Sequence, residues 1–272
     1  LREANQYGHS EGREFALETS KGNFWFEISL TRKEGLVDGQ PRFIVLSRNV
    51  TQRKSSEEEI NKLAFYDPLT NLPNRRLMRD RLGQALAQAT RDRRPLALLF
   101  IDLDHFKALN DTRGHDVGDR LLTEVAQRLR RCVRAADTVA RLGGDEFVVI
   151  LPDLSPTRER AAAEAEMIAE KVRAALGRPY PVDEQGWHCT PSIGIALVDP
   201  QSAEADVDEL LKRADTAMYE AKRSGRNAIR FFDPATHAAM AERVALESDL
   251  RDALARGEFV LHYQVQVDAE GR

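Results

Sequence analysis

The nine residues LALLFIDLD, Leu96 to Asp104, constrain the fold of this chain more than any other stretch. A run so nearly continuous in apolar side chains does not alternate, so it fits a strand covered on both faces rather than one with a wet side. Such a strand needs helices above and below it, which points to an α/β domain. Asp102 stands where the apolar run ends. A carboxylate at the mouth of a buried strand is costly unless it is solvated, paired or bound to a metal ion.

The flanking patterns supply the helices. One helix begins near Pro73 and carries Leu77, Leu82 and Leu86. Asp119 to Val133 has amphipathic spacing, with Asp119 placed as a natural N-cap. TVARL, Gly143-Gly144 and EFVVIL read as a tight hairpin with Asp145 just beyond a two-residue glycine turn. Ser155-Pro156 predicts an N-cap and first helical position for an alanine-rich helix ending at Leu176. HCTPSIGIALV is a further strand in which Pro191 suggests a bulge or an edge. A last helix, Asp206 to Ser224, ends at Gly225. Residues 67–232 are therefore expected to form one α/β domain with a mixed central sheet and flanking helices.

The two ends read as pieces of other domains. NFWFEISL alternates Phe24, Phe26, Ile28 and Leu30 against Trp25, Glu27 and Ser29, and PRFIVLSRNV is a second strand reached across Asp38-Gly39. A few strands in residues 1–53 make a poor independent core. TQRKSSEEEINKLAFY, Thr51 to Tyr66, is a charged helical stretch. Residues 233–272 predict a helix, AERVALESDLRDALARG, and a lone apolar strand, EFVLHYQVQV, that needs a cover.

Composition excludes several classes. The 272 residues are 42% hydrophobic and 31% charged, ordinary for a soluble globular protein, and the net charge of -4 argues against a broad basic face for duplex nucleic acid. The arginines around 75–81 and 128–134 sit in helical stretches and read as solvated faces. No apolar run approaches the roughly 18 residues of a membrane span, and no signal peptide opens the chain. Cys132 and Cys189 match no metal-ligand spacing. A cytoplasmic location with both thiols structural is expected, though a parent protein carrying a membrane anchor is compatible with this.

Singly, Asp145 is a turn acid and Asp102 a capping residue. If the hairpin lies beside the strand ending at Asp102, the two converge, and convergent carboxylates suit Mg²⁺ with positions left for water and phosphate. The wider pattern gives these acids a context. LGGDEF, together with FIDLDHFKALND, GHDVGD, DPLTNLPNR (Asp67 to Arg75) and AKRSGRN (Ala221 to Asn227), resembles the GGDEF family of diguanylate cyclases, with five motifs in family order. The resemblance implies a nucleotidyl-cyclase or polymerase-palm-like fold. It also implies condensation of two GTP into cyclic di-GMP and two pyrophosphates, with one GTP on each half of a homodimer.

By the same resemblance, Asp102, Asp145 and the Leu103 carbonyl hold Mg²⁺, with Mn²⁺ as a substitute. Glu146 is a further ligand or helps to activate the attacking 3′-hydroxyl. Asn110 and Asp119 read guanine. Lys107, Lys222 and Arg226 contact the triphosphate, although Lys222 and Arg226 also suit ordinary capping of a helix C-terminus. Arg134 and Asp137, in RAAD, match the family's inhibitory Arg-x-x-Asp site for the product. Their i, i+3 spacing puts them on one helical face if the preceding helix persists that far. His115 reads as a loop-stabilising histidine.

Residues 1–53 resemble the end of a PAS sensor, with Asn49 where an aspartate is common, which makes 54–66 the signalling linker helix with Ile60 and Leu63 as candidate dimer contacts. Residues 233–272 look like the opening of an EAL phosphodiesterase, with Val265 where a proline is usual. The acidic residues that hydrolyse cyclic di-GMP in that family would lie beyond Arg272, so hydrolysis is not expected of this chain. Two rival functions are a GTP-binding regulator of an EAL domain, without catalysis of its own, and a polymerase-like transferase. The second should carry a basic template groove.

Overall fold

A computed structural model describes residues 2–20, 22–37, 40–181, 186–199, 206–234 and the single positions 253, 256 and 258. The chain divides into two units, Leu1–Pro68 and Leu69–Arg272. The Asp38-Gly39 connection and most of the predicted C-terminal helix and strand lie outside the described residues.

The first unit holds α1 (Arg2–Tyr7), β1 (His9–Thr19), β2 (Gly22–Val37), β3 (Gln40–Asn49) and α2 (Thr51–Phe65). Its three strands form an antiparallel sheet in the order β1-β2-β3. The two predicted strands are β2 and β3, while β1, rich in Glu and broken by Gly12, carries too little apolar pattern to be read beforehand. Among its described residues only Ala4, Ser10 and Val50 are buried, and Ile44, Val45 and Leu46 on β3 are exposed. Residues 24–30 are half-buried on both sides, so the alternation in the sequence is not matched by alternating burial. On α2, Ile60 and Leu63 are exposed.

The second unit runs α3 (Arg75–Asp92), β4 (Leu96–Leu103), α4 (Phe106–Arg113), α5 (His115–Cys132), β5 (Thr138–Gly143), β6 (Glu146–Leu151), α6 (Arg158–Leu176), β7 (Pro191–Val198), α7 (Val207–Arg223) and β8 (Ile229–Phe231). The sheet order is β5-β6-β4-β7-β8. Only β7–β8 is parallel, so the sheet is mixed. Every residue of β4 is buried, and the strand sits at the centre.

Side-chain parity along β4 divides the core into two layers. Ala97, Leu99, Ile101 and Leu103 belong to one layer with Leu121, Val125 and Leu129 of α5 and Ala165, Ala169 and Val172 of α6. Leu96, Leu98 and Phe100 belong to the other, with Met78 and Leu82 of α3 and Leu210, Ala214 and Met218 of α7. Asp102 shares the parity of this second layer, which brings it towards α7.

Several local expectations change. The helix α5 begins at His115, because Gly114 (φ 84°) lets the chain turn straight from α4 into α5; Asp119 lies inside the helix and is not its N-cap. The N-cap position before α6 is Thr157. Ser155 instead gives its backbone N–H (3.1 Å) and its hydroxyl to Glu164, which removes it from a capping role. Pro191 makes neither bulge nor edge: it is the first residue of β7, where a missing N–H costs little, and β7 lies between β4 and β8. The hairpin turn is Gly144-Asp145, since Gly143 already pairs with Glu146, so Asp145 sits in the turn itself. Positive φ at Gly143 (141°) and Gly144 (52°) explains the glycine pair.

One close approach locks α7 to the sheet. A Cβ on Gly194 of β7 would stand 2.1 Å from the Ala214 carbonyl oxygen and 2.2 Å from the Met218 nitrogen, both helix backbone. Neither can yield without moving the helix. Gly194→Ala is expected to cost about 3 kcal/mol, the upper part of the usual overpacking range. The check is a lower urea midpoint with an unchanged m-value.

Candidate active site

The C-terminal end of β4, the Gly144-Asp145 turn and the C-terminal turn of α7 meet at one end of the sheet. The β4–β6 ladder ends at the pair Asp102–Glu146. One residue further the Asp104 N–H donates to the Thr190 carbonyl on the β7 side (2.7 Å). Backbone groups alternate sides along a strand, so the Leu103 carbonyl is directed to the β6 side, beyond the last ladder pair and towards the turn.

Asp102 is 7% exposed, and its Oδ2 lies 2.7 Å from Lys222 Nζ. Burial pushes its carboxyl up to about 6, the Lys222 ammonium pulls the other way, and the negative charges of Asp145 and Asp104 add to the rise. Burial outweighs the lysine. Asp145 is half-buried and within electrostatic reach of both Asp102 and Glu146. Partial burial raises the Glu146 carboxyl, opposed by Arg75, whose Nη2 is 3.8 Å away, and reinforced by Asp215 and Asp145.

Among the described residues, no three His, Cys, Asp or Glu side chains gather as a metal-binding group. The oxygen set at this end is two carboxylates and one main-chain carbonyl. That set fits a hard divalent cation that keeps water and phosphate in its remaining positions, because its oxygens are hard donors and the buried charge of Asp102 is only partly compensated. Glu146 is turned to Arg75.

The other expected site residues fall into separate groups. Lys107 is exposed in the first turn of α4. Asn110 lies further along α4, its Oδ1 buried and without a hydrogen-bond partner among the described residues. A Cβ on Gly118 of α5 would stand 2.0 Å from that Oδ1, so a glycine there leaves room for the amide. Asp119 is exposed and lines a cleft of about 290 Å³ with Leu69, Thr123 and Pro181. Arg226 is exposed in the loop after α7, in a left-handed conformation (φ 63°).

Arg134 and Asp137 are brought together differently from the helical expectation. Val133 is extended and ends α5, so RAAD is a turn in which the Asp137 N–H donates to the Arg134 carbonyl (3.1 Å) and the Arg134 N–H donates to Asp137 Oδ2 (2.7 Å). Burial raises the Asp137 carboxyl against that hydrogen bond. The turn precedes β5, whereas Asp145 follows it. Six strand residues at roughly 3.3 Å each separate them by about 20 Å.

Asp104 is a residue that the sequence reading passed over. It is 3% exposed. Its Oδ2 accepts from the Thr190 hydroxyl (2.7 Å) and the Asn227 N–H (3.0 Å), and its Oδ1 from the Ser192 hydroxyl (2.7 Å). The Asp-x-Asp spacing of DLD was the available signal, since a second acid just past a buried strand needs donors.

Comparison with known proteins identifies the family. A family model described as diguanylate cyclase, GGDEF domain, matches residues 64–228. The bifunctional diguanylate cyclase/cyclic di-GMP phosphodiesterase MucR of Pseudomonas aeruginosa is 47% identical over 219 residues, covering 80% of this chain and 30% of that protein. The chain thus spans about a third of the length of that relative. Among solved structures, the GGDEF domain of YfiN from Pseudomonas aeruginosa is similar at 40% identity and a TM-score of 0.59, covering 65% of this chain and 99% of the other. The coiled coil and GGDEF domain of DgcB from Caulobacter crescentus, in complex with c-di-GMP, is similar at 31% identity and a TM-score of 0.59, covering 67% and 93%. No helix among the described residues is long and apolar enough to cross a membrane. With the motifs, the mixed sheet and these matches in agreement, the chain belongs to the GGDEF family of diguanylate cyclases.

Proposed function

We propose that this chain is an active diguanylate cyclase module that joins two GTP molecules into cyclic di-GMP, each GTP held by one half of a homodimer. The observation that carries the reading is the grouping of Asp102, Asp145 and the Leu103 carbonyl at one end of the sheet, beside Lys222. Asp102, Asp145 and the Leu103 carbonyl would hold Mg²⁺, or Mn²⁺ in its place. When bound, the ion supplies positive charge against the triphosphate and makes the attacking oxygen more nucleophilic.

The chain's own residues do the rest. Lys222, Arg226 and Lys107 bind phosphate oxygens, Arg226 through a planar fork suited to them. Asn110 and Asp119 take the guanine: Asn110 Oδ1 has no hydrogen-bond partner among the described residues, and Asp119 lines the cleft with Leu69, Thr123 and Pro181. Glu146, its carboxyl raised by burial, is suited to accept a proton from a substrate hydroxyl and stands as the alternative further ligand. Arg134 and Asp137 form a separate product-binding site. On the same reading, residues 1–53 close a PAS domain, 54–66 are the connector, 67–232 the cyclase and 233–272 the opening of an EAL domain.

A second reading makes the module a GTP-binding regulator of an EAL phosphodiesterase; the bifunctional name of MucR favours keeping it. Incubation of the protein with GTP and Mg²⁺ separates the two, since cyclic di-GMP appears only on the first.

Three outcomes are expected. Asp145→Ala lowers cyclic di-GMP formation by about 10²–10³, the usual effect of removing one stabilising group from such a site, while the far-ultraviolet circular dichroism spectrum is retained. Mn²⁺ affinity of the nucleotide-free protein is level above about pH 7. It falls roughly tenfold per unit below the Asp102 value of about 6, because the proton then competes with the cation; titrations at pH 5, 6 and 7.5 measure this. Arg134→Ala weakens cyclic di-GMP binding by about 10–100-fold, as loss of a charged hydrogen bond would, and leaves the first turnover intact in a rapid-quench assay.

A further inference from the structure

The loop between α7 and β8 is held in a conformation its residues do not favour. Arg226 (φ 63°) and Asn227 (φ 45°) are consecutive non-glycine residues in the left-handed region. Each such residue costs on the order of 1 kcal/mol and persists only where surrounding bonds over-determine it. Four bonds hold the loop, and one of them ties it to the buried carboxylate of Asp104. The Asn227 N–H donates to Asp104 Oδ2 at 3.0 Å, and the Asn227 side-chain Oδ1 accepts from Arg173 at 2.9 Å. The Arg226 N–H reaches back to the Ala221 carbonyl at 3.2 Å, and the Ile193 N–H of β7 donates to the Ala228 carbonyl at 2.9 Å. Asp104 is itself fixed by the Thr190 and Ser192 hydroxyls, both at 2.7 Å, and by its own N–H to the Thr190 carbonyl.

We propose that Asp104 is a positioning residue that sets the Arg226 loop in register with the acidic end of β4, and so fixes where the guanidinium meets the phosphates of a bound nucleoside triphosphate. The inference deepens the GTP-binding reading above and rests on it. Asp104 touches no substrate in this account and works through Asn227. Its position explains why an acid is needed there: Oδ2 accepts two donors at once, a hydroxyl and a main-chain N–H. Asparagine can rotate its amide to suit the hydroxyls, yet it cannot offer two acceptor oxygens. A full carboxylate buried among donors is favourable because bonds to a charged acceptor are stronger than neutral ones.

The test uses the whole chain and α,β-methylene GTP with Mg²⁺ as the probe. Asp104→Asn should weaken binding of the analogue by about tenfold or more, and Arg226→Ala alone by a similar factor. The double variant should be no weaker than the weaker single, because one residue acts through the other. Hydrogen exchange should quicken at the Asn227 amide and stay unchanged at core amides of β6. Factors that multiply in the double variant, or an Asp104→Asn protein that binds like the parent, overturn the proposal. If Asp104→Asn does not give a folded protein, Thr190→Val, which removes one donor to Oδ2, enters the same cycle with a smaller factor in the same direction. A parent protein that fails to bind the analogue refutes the GTP-binding reading itself, an outcome seen before any variant is made.

Discussion

Burial of β4 on both faces is the constraint on which the rest of the second unit depends. Six of its eight side chains are large and apolar, and at roughly 1.5–3 kcal/mol each their burial is worth on the order of 10–20 kcal/mol. The effective penalty for burying one charged carboxylate is several kcal/mol. The strand can therefore carry Asp102 into a water-poor place and still be held there. Lys222 offsets part of that penalty, but the raised carboxyl of Asp102 records that the offset is incomplete. An incompletely compensated carboxylate is what the proposed cation site would use.

The helix packed closest to β4's neighbour serves the same end. Because Gly194 lets α7 lie against the backbone of β7, the C-terminal turn of α7 is held at a fixed height above the sheet. Lys222 then reaches Asp102, and the loop beyond it is carried to Asp104. The polar cluster of Asp104, Thr190 and Ser192 at the entry of β7 continues the sheet's order past the point where the apolar layers stop. The site is thus built from the end of β4, the Gly144-Asp145 turn and the end of α7, with the Arg226 loop tied to the sheet through Asp104.

Much of this was legible in the sequence, and the exceptions have physical causes. The run at 96–103, the helix ending before Gly225 and the hairpin around Gly143-Gly144 carry strong local signals, either unbroken apolarity or residues that only certain backbone angles accept. The meeting of Asp102 and Asp145 follows from the sequence only if the hairpin lies beside the strand, and the β4–β6 pairing supplies that condition. What escaped were features decided by tertiary contact. Asp119 has an N-cap's chemistry, but the turn at Gly114 starts the helix four residues earlier. Ser155 has it too, but Glu164 takes its donors. Pro191 reads as a disruption only until its place as the first residue of the strand is known. Asp104 was invisible for the opposite reason: its partners are some 86 to 123 residues away in the chain.

The parity of β4 carries one more implication. Odd positions feed one helical layer and even positions the other, so a single residue inserted or removed between Leu96 and Ile101 would rotate the strand's end by half a turn. The carboxylate now facing α7 would then be thrust among the leucines of α5, away from Lys222. A change of length is therefore tolerable only in the connections, and the central strand is a measured part whose residue count matters as much as its chemistry.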